Sequence, residues 1–362
     1  MKRILFITNI PAPYRIDFYN ELGKMVDLTV IFEAKGACDQ GIRFNWNIDE
    51  IRNFKAIFLS DGDIREKKID WSIFKYLKVR KYDEIVVTSY SYFTEMAALV
   101  YLKLRGVPYY METDGGMIRT ESKLKKWYKT FLISGAKGYF SPSKSSDEYL
   151  AYYGAKPERI YRYPFTSLKD EDILERCLTS EEKAEYKSKI GSRRAHMILG
   201  VGQFIHRKGW DILLQAAQGI PDADIYIVGS EPTKEYLRLR EEYGLQNVYF
   251  EGFKSKEDLK DYYKAADVFV LPTREDIWGL VINEAMAYGL PVITTDRCVA
   301  GVELVEDGVN GYIIPAESVE QLQETMKNAC SMGENMSAMS LKKINAYSIE
   351  KMALSHIEIM KE

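Results

Sequence analysis

Residues 268–296 read VFVLPTREDIWGLVINEAMAYGLPVITTD, and the order of patterns in this stretch decides the architecture. Val268–Leu271 is a short continuous apolar run, as expected of a strand buried on both faces. Pro272 and Thr273 end it. From Gly279 to Tyr288 apolar residues recur at helical spacing, until Gly289 and Pro291 stop them; Pro291–Thr294 resumes as a strand. Strand, helix and strand in so short a span predict a crossover unit in a parallel sheet.

The same alternation runs outward in both directions. Upstream in the second half lie strand patterns at His196–Val201, Asp224–Val228 and Val248–Phe250, and downstream one at Gly311–Ile314. Helical patterns separate them at Trp210–Gln218, Lys234–Tyr243, Lys256–Ala265 and Val319–Ala329. The first half repeats the scheme, with strands at Arg3–Thr8, Asp27–Phe32, Lys55–Leu59, Glu84–Thr88, Pro108–Glu112 and Gly138–Ser141. Its helical patterns are Tyr14–Lys24, Phe93–Leu104, Ser122–Ile133 and Ser146–Tyr153. The pattern restarts after YRYPFTSLKDEDILERC, where Pro164 and the charged run 169–175 read as a linker. The expected organisation is α/β with two Rossmann-like doubly wound domains, 1–170 and 171–343, and a C-terminal helix over 344–362 packing back on the body. Ligands in such sheets sit beyond the carboxyl ends of the strands, so a cleft between the domains is the expected site.

Bulk composition excludes several classes. A chain of 362 residues exceeds one ordinary core, and 46% hydrophobic with 28% charged residues is the balance of a folded protein. A net charge of −3 offers no electrostatic argument for nucleic acid. Cys38, Cys177, Cys298 and Cys330 are widely spaced and form neither a disulfide frame nor a zinc motif, so they read as reduced thiols of a cytoplasmic protein. The opening MKRILFITNIPAPYR puts Lys2 and Arg3 before an apolar run, but that run is too short for a signal segment and reads as a first buried strand. No apolar stretch reaches the length of a membrane-spanning helix.

Two loops carry candidate chemistry. In HMILGVGQFIHRKGWDILLQAA a strand ends at Gly200-Val201-Gly202, and Arg207-Lys208 stand just before Gly209 and the next helix. A dinucleotide fingerprint would need a third glycine where Ile205 stands. Paired cations suited to a diphosphate are one reading of Arg207 and Lys208; a solvated basic turn is the other. In the opening stretch, the backbone amides of Gly279, Leu280 and Val281 lie at the positive end of a helix, where phosphate binds well. Asp276 and Glu284 flank that start. A carboxylate binds hydroxyls and not phosphate, so the pair suggests a ligand carrying both groups; helix capping is an alternative role for Asp276.

VGQFIHRKGWDILLQAA, DIYIVGSEP, NVYFEGF, the segment YYKAADVFVLPTREDIWGLVINEAMAYGLPVITTD and GVELVEDGVNGYIIP together resemble the retaining family-four glycosyltransferases of GT-B fold, strongly over about 197–315. The resemblance implies a sugar transfer from a nucleoside-diphosphate sugar to a hydroxyl of a glycan or lipid-linked acceptor, as in surface polysaccharide synthesis. It implies Glu284 at the donor's ribose, Asp276 at its sugar, and Gly279, Leu280 and Val281 at its diphosphate. Asp276 stands where the family has Glu. The family's arginine and lysine fall on Gln203 and Lys208, with Arg207 as a substitute cation. Gly252, Phe253 and Lys254 fall beside the base. In the first half, Arg15 is a candidate contact to diphosphate or acceptor. Asp114 falls where relatives carry a histidine; the chain's three histidines, His196, His206 and His356, all lie outside 1–170. Asp114 reads either as the base for the acceptor hydroxyl or as an acidic turn residue.

Neutralisation by Lys208 and Arg207 implies no metal and no other cofactor. Three rivals stay open. Asp61-Gly62-Asp63 matches a metal-binding D-x-D, although Asp-Gly more often marks a turn; two carboxylates also serve a glycoside hydrolase; and the departures at Gln203 and Asp276 suit a non-catalytic nucleotide-sugar-binding subunit. Lys123–Phe131, KLKKWYKTF, is either the open face of a helix or a peripheral membrane contact. Tyr90, Tyr92, Tyr109 and Tyr110, near predicted strand ends, suit sugar stacking or packing.

Overall fold

The computed structural model describes residues 1–39, 42–45, 48–64, 68–77, 81–330 and 334–361. The chain divides into two compact units, Met1–Thr166 with Ser348–Glu362, and Ser167–Tyr347.

In the first unit the strands are β1 (Arg3–Thr8), β2 (Asp27–Asp39), β3 (Ile42–Asn45), β4 (Lys55–Asp63), β5 (Glu84–Val87), β6 (Tyr110–Glu112), β7 (Gly138–Ser141) and β8 (Ile160–Arg162). The helices are α1 (Pro13–Gly23), α2 (Phe93–Leu104), α3 (Lys123–Ile133) and α4 (Lys144–Tyr152). The sheet runs β3-β2-β1-β5-β6-β7-β8, with β4 also on β2, and only the β2–β3 pair is antiparallel. The run Ile4–Ile7 is wholly buried, as the continuous apolar reading of β1 requires. Pro13 occupies the first turn of α1, where its missing N–H costs no hydrogen bond. Strand β4 continues through Asp61-Gly62-Asp63, so the D-x-D is strand and not turn; the Asp61 carboxylate pairs with Lys35 at 2.7 Å.

The second unit opens with α5 (Ser180–Ile190), whose Thr179 and Glu182 form a reciprocal capping box. There follow β9 (His196–Val201), α6 (Trp210–Ala217), β10 (Ala223–Val228), α7 (Lys234–Glu242), β11 (Val248–Glu251) and α8 (Lys256–Ala265). Next come β12 (Val268–Leu271), α9 (Leu280–Ala287), β13 (Val292–Thr295), α10 (Val299–Leu304), β14 (Gly311–Ile314), α11 (Val319–Cys330) and α12 (Glu334–Ile344). Its six strands are all parallel, in the order β11-β10-β9-β12-β13-β14. That is the doubly wound order, with its reversal between β9 and β12.

The chain closes with α13 (Ile349–Ile359), which belongs to the first unit and packs on α1. Ile349, Met352 and Ala353 are buried there, and the Lys2 ammonium donates to the Met360 carbonyl at 2.5 Å. The Ile349 and Met352 side chains each contribute about 1.5–3 kcal/mol when fully buried, and the Ala353 methyl less. Among the described residues no helix is long and apolar enough to cross a membrane.

Candidate functional site

At the reversal point of the second sheet, the loops after β9 and β12 meet backbone to backbone. Gly209 has φ +72°, and a Cβ there would stand 2.1 Å from the Pro272 carbonyl oxygen. Only glycine permits both the conformation and the approach. A Cβ on Gly200, near the end of β9, would meet the fully buried Trp210 ring at 2.8 Å, so this glycine is there for close packing. The contact brings two cations onto one carboxylate. Lys208 Nζ lies 2.5 Å from Asp276 Oδ2, and Arg207 Nη1 lies 3.1 Å from Asp276 Oδ1. Lys208 is only 8% exposed, which removes the solvated-turn reading for that residue. The Arg207 side chain, 44% exposed, also donates to the Glu275 carbonyl at 2.8 Å.

Helix α9 starts at Gly279 (φ +104°) with no side chain capping it. Asp276 therefore does not cap the helix. It forms a β-bridge with Cys298, its amide donates to the Arg297 carbonyl, and its carboxylate turns to the two cations. The first bond of the turn runs from the Ile282 amide to the Gly279 carbonyl, so the Leu280 and Val281 amides precede it at the positive helix end. Cys298 backs this turn: its thiol donates to the Trp278 carbonyl at 3.1 Å, and burial pushes it up to about 12. It is a packed, unreactive thiol. Arg274 ties the loops together, donating to both Asp211 oxygens (2.8 and 2.6 Å), the His206 carbonyl (2.7 Å) and Glu317 (2.8 Å). Sequence reasoning passed over Arg274, although it lies inside the decisive stretch.

Glu284, on the second turn of α9, accepts from Tyr263 Oη at 2.9 Å and Ser167 Oγ at 3.3 Å. Burial raises its carboxyl, while those two donors pull the other way. Among the described residues no hydrogen bond or ion pair joins Glu284 to Asp276; the cations gather only at Asp276. The remaining expected donor contacts follow on from the loop after β9, where the Phe204 amide donates to Ser230 Oγ of VGSEP at 3.2 Å. Gly252 lies against Glu231 of VGSEP, where a Cβ would sit 3.0 Å from Oε1. Lys254 pairs with Glu251 at 2.8 Å, and Phe253 is 88% exposed. Gln203 accepts through its backbone carbonyl from Trp210 Nε1 at 2.9 Å.

The first unit holds its own polar cluster. Arg15 is buried on α1 and donates to Glu112 Oε1 at 2.8 Å and to Asp114. Tyr14 Oη donates to Asp114 at 3.2 Å, and Tyr163 Oη to the Thr113 carbonyl at 3.0 Å. Burial raises the Asp114 carboxyl; Arg15 opposes that rise and Glu112 adds to it. Asp114 is therefore held in an ion pair and is more than an acidic turn residue. A histidine does reach this unit: His356 of α13 lies 3.5 Å from Glu112. The tally by position in the chain missed it because the last helix returns to the first sheet. Tyr109 and Tyr110 are core side chains, and Tyr90 bonds to Tyr149. On α3, Leu124, Trp127, Tyr128 and Phe131 are exposed, Trp127 by 65%. Among the described residues no three His, Cys, Asp or Glu side chains gather as a metal site.

Two Rossmann-like units in tandem, one with paired cations and a glycine-opened helix at its reversal point, define the GT-B class of fold. Solved structures share it: a glycosyltransferase from Rickettsia africae ESF-5 has a TM-score of 0.77 at 16% identity, over 99% of this chain and 98% of that one. Anabaena Alr3699/HepE, solved in complex with UDP, has a TM-score of 0.77 at 16% identity over 100% of both chains. Residues 182–345 match the family model described as glycosyl transferases group 1. The lipopolysaccharide glucosyltransferase WaaG of Escherichia coli K12 is 28% identical over 192 residues, 51% of this chain and 50% of its own. The chain thus spans about half the length of the curated relatives it matches.

Proposed function

We propose that the protein is a glycosyltransferase that moves a sugar from a nucleoside-diphosphate donor to a hydroxyl of a glycan or lipid-linked acceptor, with retention at the anomeric carbon. The observation that carries this reading is the contact of Lys208 and Arg207 with Asp276, beside the open start of α9, in a unit that matches the group 1 family model. The diphosphate takes the Leu280 and Val281 amides, and Lys208 and Arg207 exchange Asp276 for its oxygens. Asp276 is then free to accept a hydroxyl of the donor sugar. As the bond to the anomeric carbon breaks, charge grows on the leaving phosphate, and Lys208 and the helix dipole stabilise it without a metal ion. Asp114, paired with Arg15 in the first unit, accepts the proton of the acceptor hydroxyl.

The test is thermal shift against UDP-, GDP- and ADP-sugars. A donor at about 100 times its Kd adds about 2.7 kcal/mol and should raise Tm by roughly 5–10 °C. UDP-sugars come first, since Alr3699/HepE was solved with UDP. No shift with any nucleotide sugar sinks the reading. Turnover follows with the donor that binds: nucleotide release without acceptor favours a hydrolase, strict loss under chelation favours the metal-dependent rival, and binding without turnover favours the non-catalytic subunit.

A peripheral contact of α3 with an anionic bilayer belongs to the same proposal. Lys123, Lys125, Lys126 and Lys129 accompany its exposed aromatic residues, the pairing expected of an interfacial helix. Flotation with anionic and with neutral vesicles checks it. Binding to the anionic ones should drop several-fold in Trp127→Ala, and no binding to either kind removes the contact.

A further inference from the structure

His356 lies fully buried among aromatic rings, stacked on Phe140 at 4.3 Å between centroids and edge-on to Tyr163 at 4.7 Å. Its Nδ1 is 2.8 Å from the Met352 carbonyl oxygen. A carbonyl only accepts, so Nδ1 carries a proton. The other nitrogen, Nε2, faces Glu112 Oε2 at 3.5 Å, and neither atom has a hydrogen-bond partner among the described residues. A neutral ring would set a bare lone pair against a carboxylate oxygen inside the core. Two acceptors in that position repel, so a second proton must lie between them.

Its owner follows from the surrounding charges. Arg15 of α1 contributes one positive charge, and Glu112 of β6 and Asp114 beyond it contribute two negative ones. Tyr14 and Tyr19 of α1, Tyr163 after β8 and Glu95 of α2, which also feels the Arg15 charge, are other titratable groups near the cluster, and burial raises all four, so they stay neutral. Phe6, Phe18 and Phe140 complete the wall around the imidazole. Arg15 Nη1 donates to Glu112 Oε1 at 2.8 Å, a contact that favours the charged carboxylate inside the core. An ionised Glu112 leaves the proton on the ring.

We propose that His356 is a positioning residue of the first unit's site: as an imidazolium it donates to Glu112 and completes a charge-balanced cluster with the buried Arg15 and Glu112 and the half-buried Asp114. Without that charge, Arg15 is the single positive charge facing the two carboxylates it already bonds, and Asp114 retains its proton to higher pH. The C-terminal helix thereby keeps Asp114 ionised. The bearing of this on sugar transfer rests on the role assigned to Asp114 above; the proton itself does not.

Nitrogen-15 NMR of the full-length, histidine-labelled protein should show both ring nitrogens of His356 protonated at pH 7.5. Glu112→Gln should return the ring to its neutral form. Carbon-13 NMR of the Asp114 carboxyl should show its midpoint rising by about one pH unit in His356→Gln, as loss of a nearby opposite charge requires. The acid limb of kcat/KM for the acceptor should move by the same amount, with the donor-induced thermal shift unchanged. A neutral His356 ring at pH 7.5 in the unaltered protein overturns the proposal, and this measurement needs no variant to fold. An unmoved Asp114 midpoint in His356→Gln overturns the coupling. Both readouts are independent of turnover, so a failed search for a sugar donor would count against the proposed function and leave this inference standing.

Discussion

Lys208→Ala should lower kcat by about 100- to 1,000-fold while changing the donor's apparent affinity much less. The ammonium is almost buried, and Gly209 fixes the loop behind it against the Pro272 carbonyl. Before the donor binds, its charge is matched by Asp276 at 2.5 Å, so no unpaired buried cation is carried in the free protein. Bond breaking places new negative charge on the leaving phosphate, and an ammonium already in place needs no reorganisation to meet it. Removing one such preorganised donor typically costs about 2.7–4 kcal/mol of barrier, the basis of the expected loss. Arg207 is a poor substitute in the variant, because its half-exposed side chain meets a screened field. Steady-state kinetics with the donor found by thermal shift, on a variant whose Tm stays within a few degrees, check this. A kcat within threefold of the parent value would remove Lys208 from the chemistry.

The elements with long apolar runs or strong helical spacing are legible in the sequence, and those with neither are not. β12, α9 and β13 were read from their residues to within one position at each end because core strands carry continuous apolar runs. Strand β8, just before the expected linker, has no strand pattern in the sequence. It is three residues long, sits on the sheet edge and carries Arg162, so neither length nor composition marks it. Helix α10 was missed because it spans six residues and contains Gly301, which is needed where a Cβ would stand 2.3 Å from the Thr294 methyl. At the site, local rules fail where a distant contact wins. An aspartate just before a helix reads as a cap, but the two cations after β9 claim the Asp276 carboxylate. No local pattern announces such a pairing. His356 was illegible for the same reason: its partner Glu112 lies on β6, at the other end of the chain, and only the return of α13 joins them.

Glu284 yields two expected effects of opposite sign. Glu284→Ala should raise the donor's Kd about 100-fold, because a carboxylate that accepts two ribose hydroxyls contributes charged hydrogen bonds worth roughly 1.5–3 kcal/mol each. Stability runs the other way for Glu284→Gln. Burial raises the Glu284 carboxyl in the folded state, so ionising it costs more there than in the unfolded chain. By linkage that cost is absent below the unfolded value, grows as pH rises through the folded one, and is fully present above it. Glutamine removes the charge; its carbonyl oxygen still accepts from Tyr263, and its amide nitrogen donates to Ser167 Oγ in place of the second bond. The ligand-free Glu284→Gln protein should therefore melt higher than the parent at pH 8, with the difference vanishing at acid pH, while its donor affinity falls. In the parent, donor affinity should weaken on acidification at a higher pH than an ordinary glutamate would give. Melting curves and donor titrations from pH 5 to 8 read both effects. If Glu284→Gln melts higher yet binds the donor as tightly as the parent, Glu284 is a buried structural acid and the ribose must be held elsewhere.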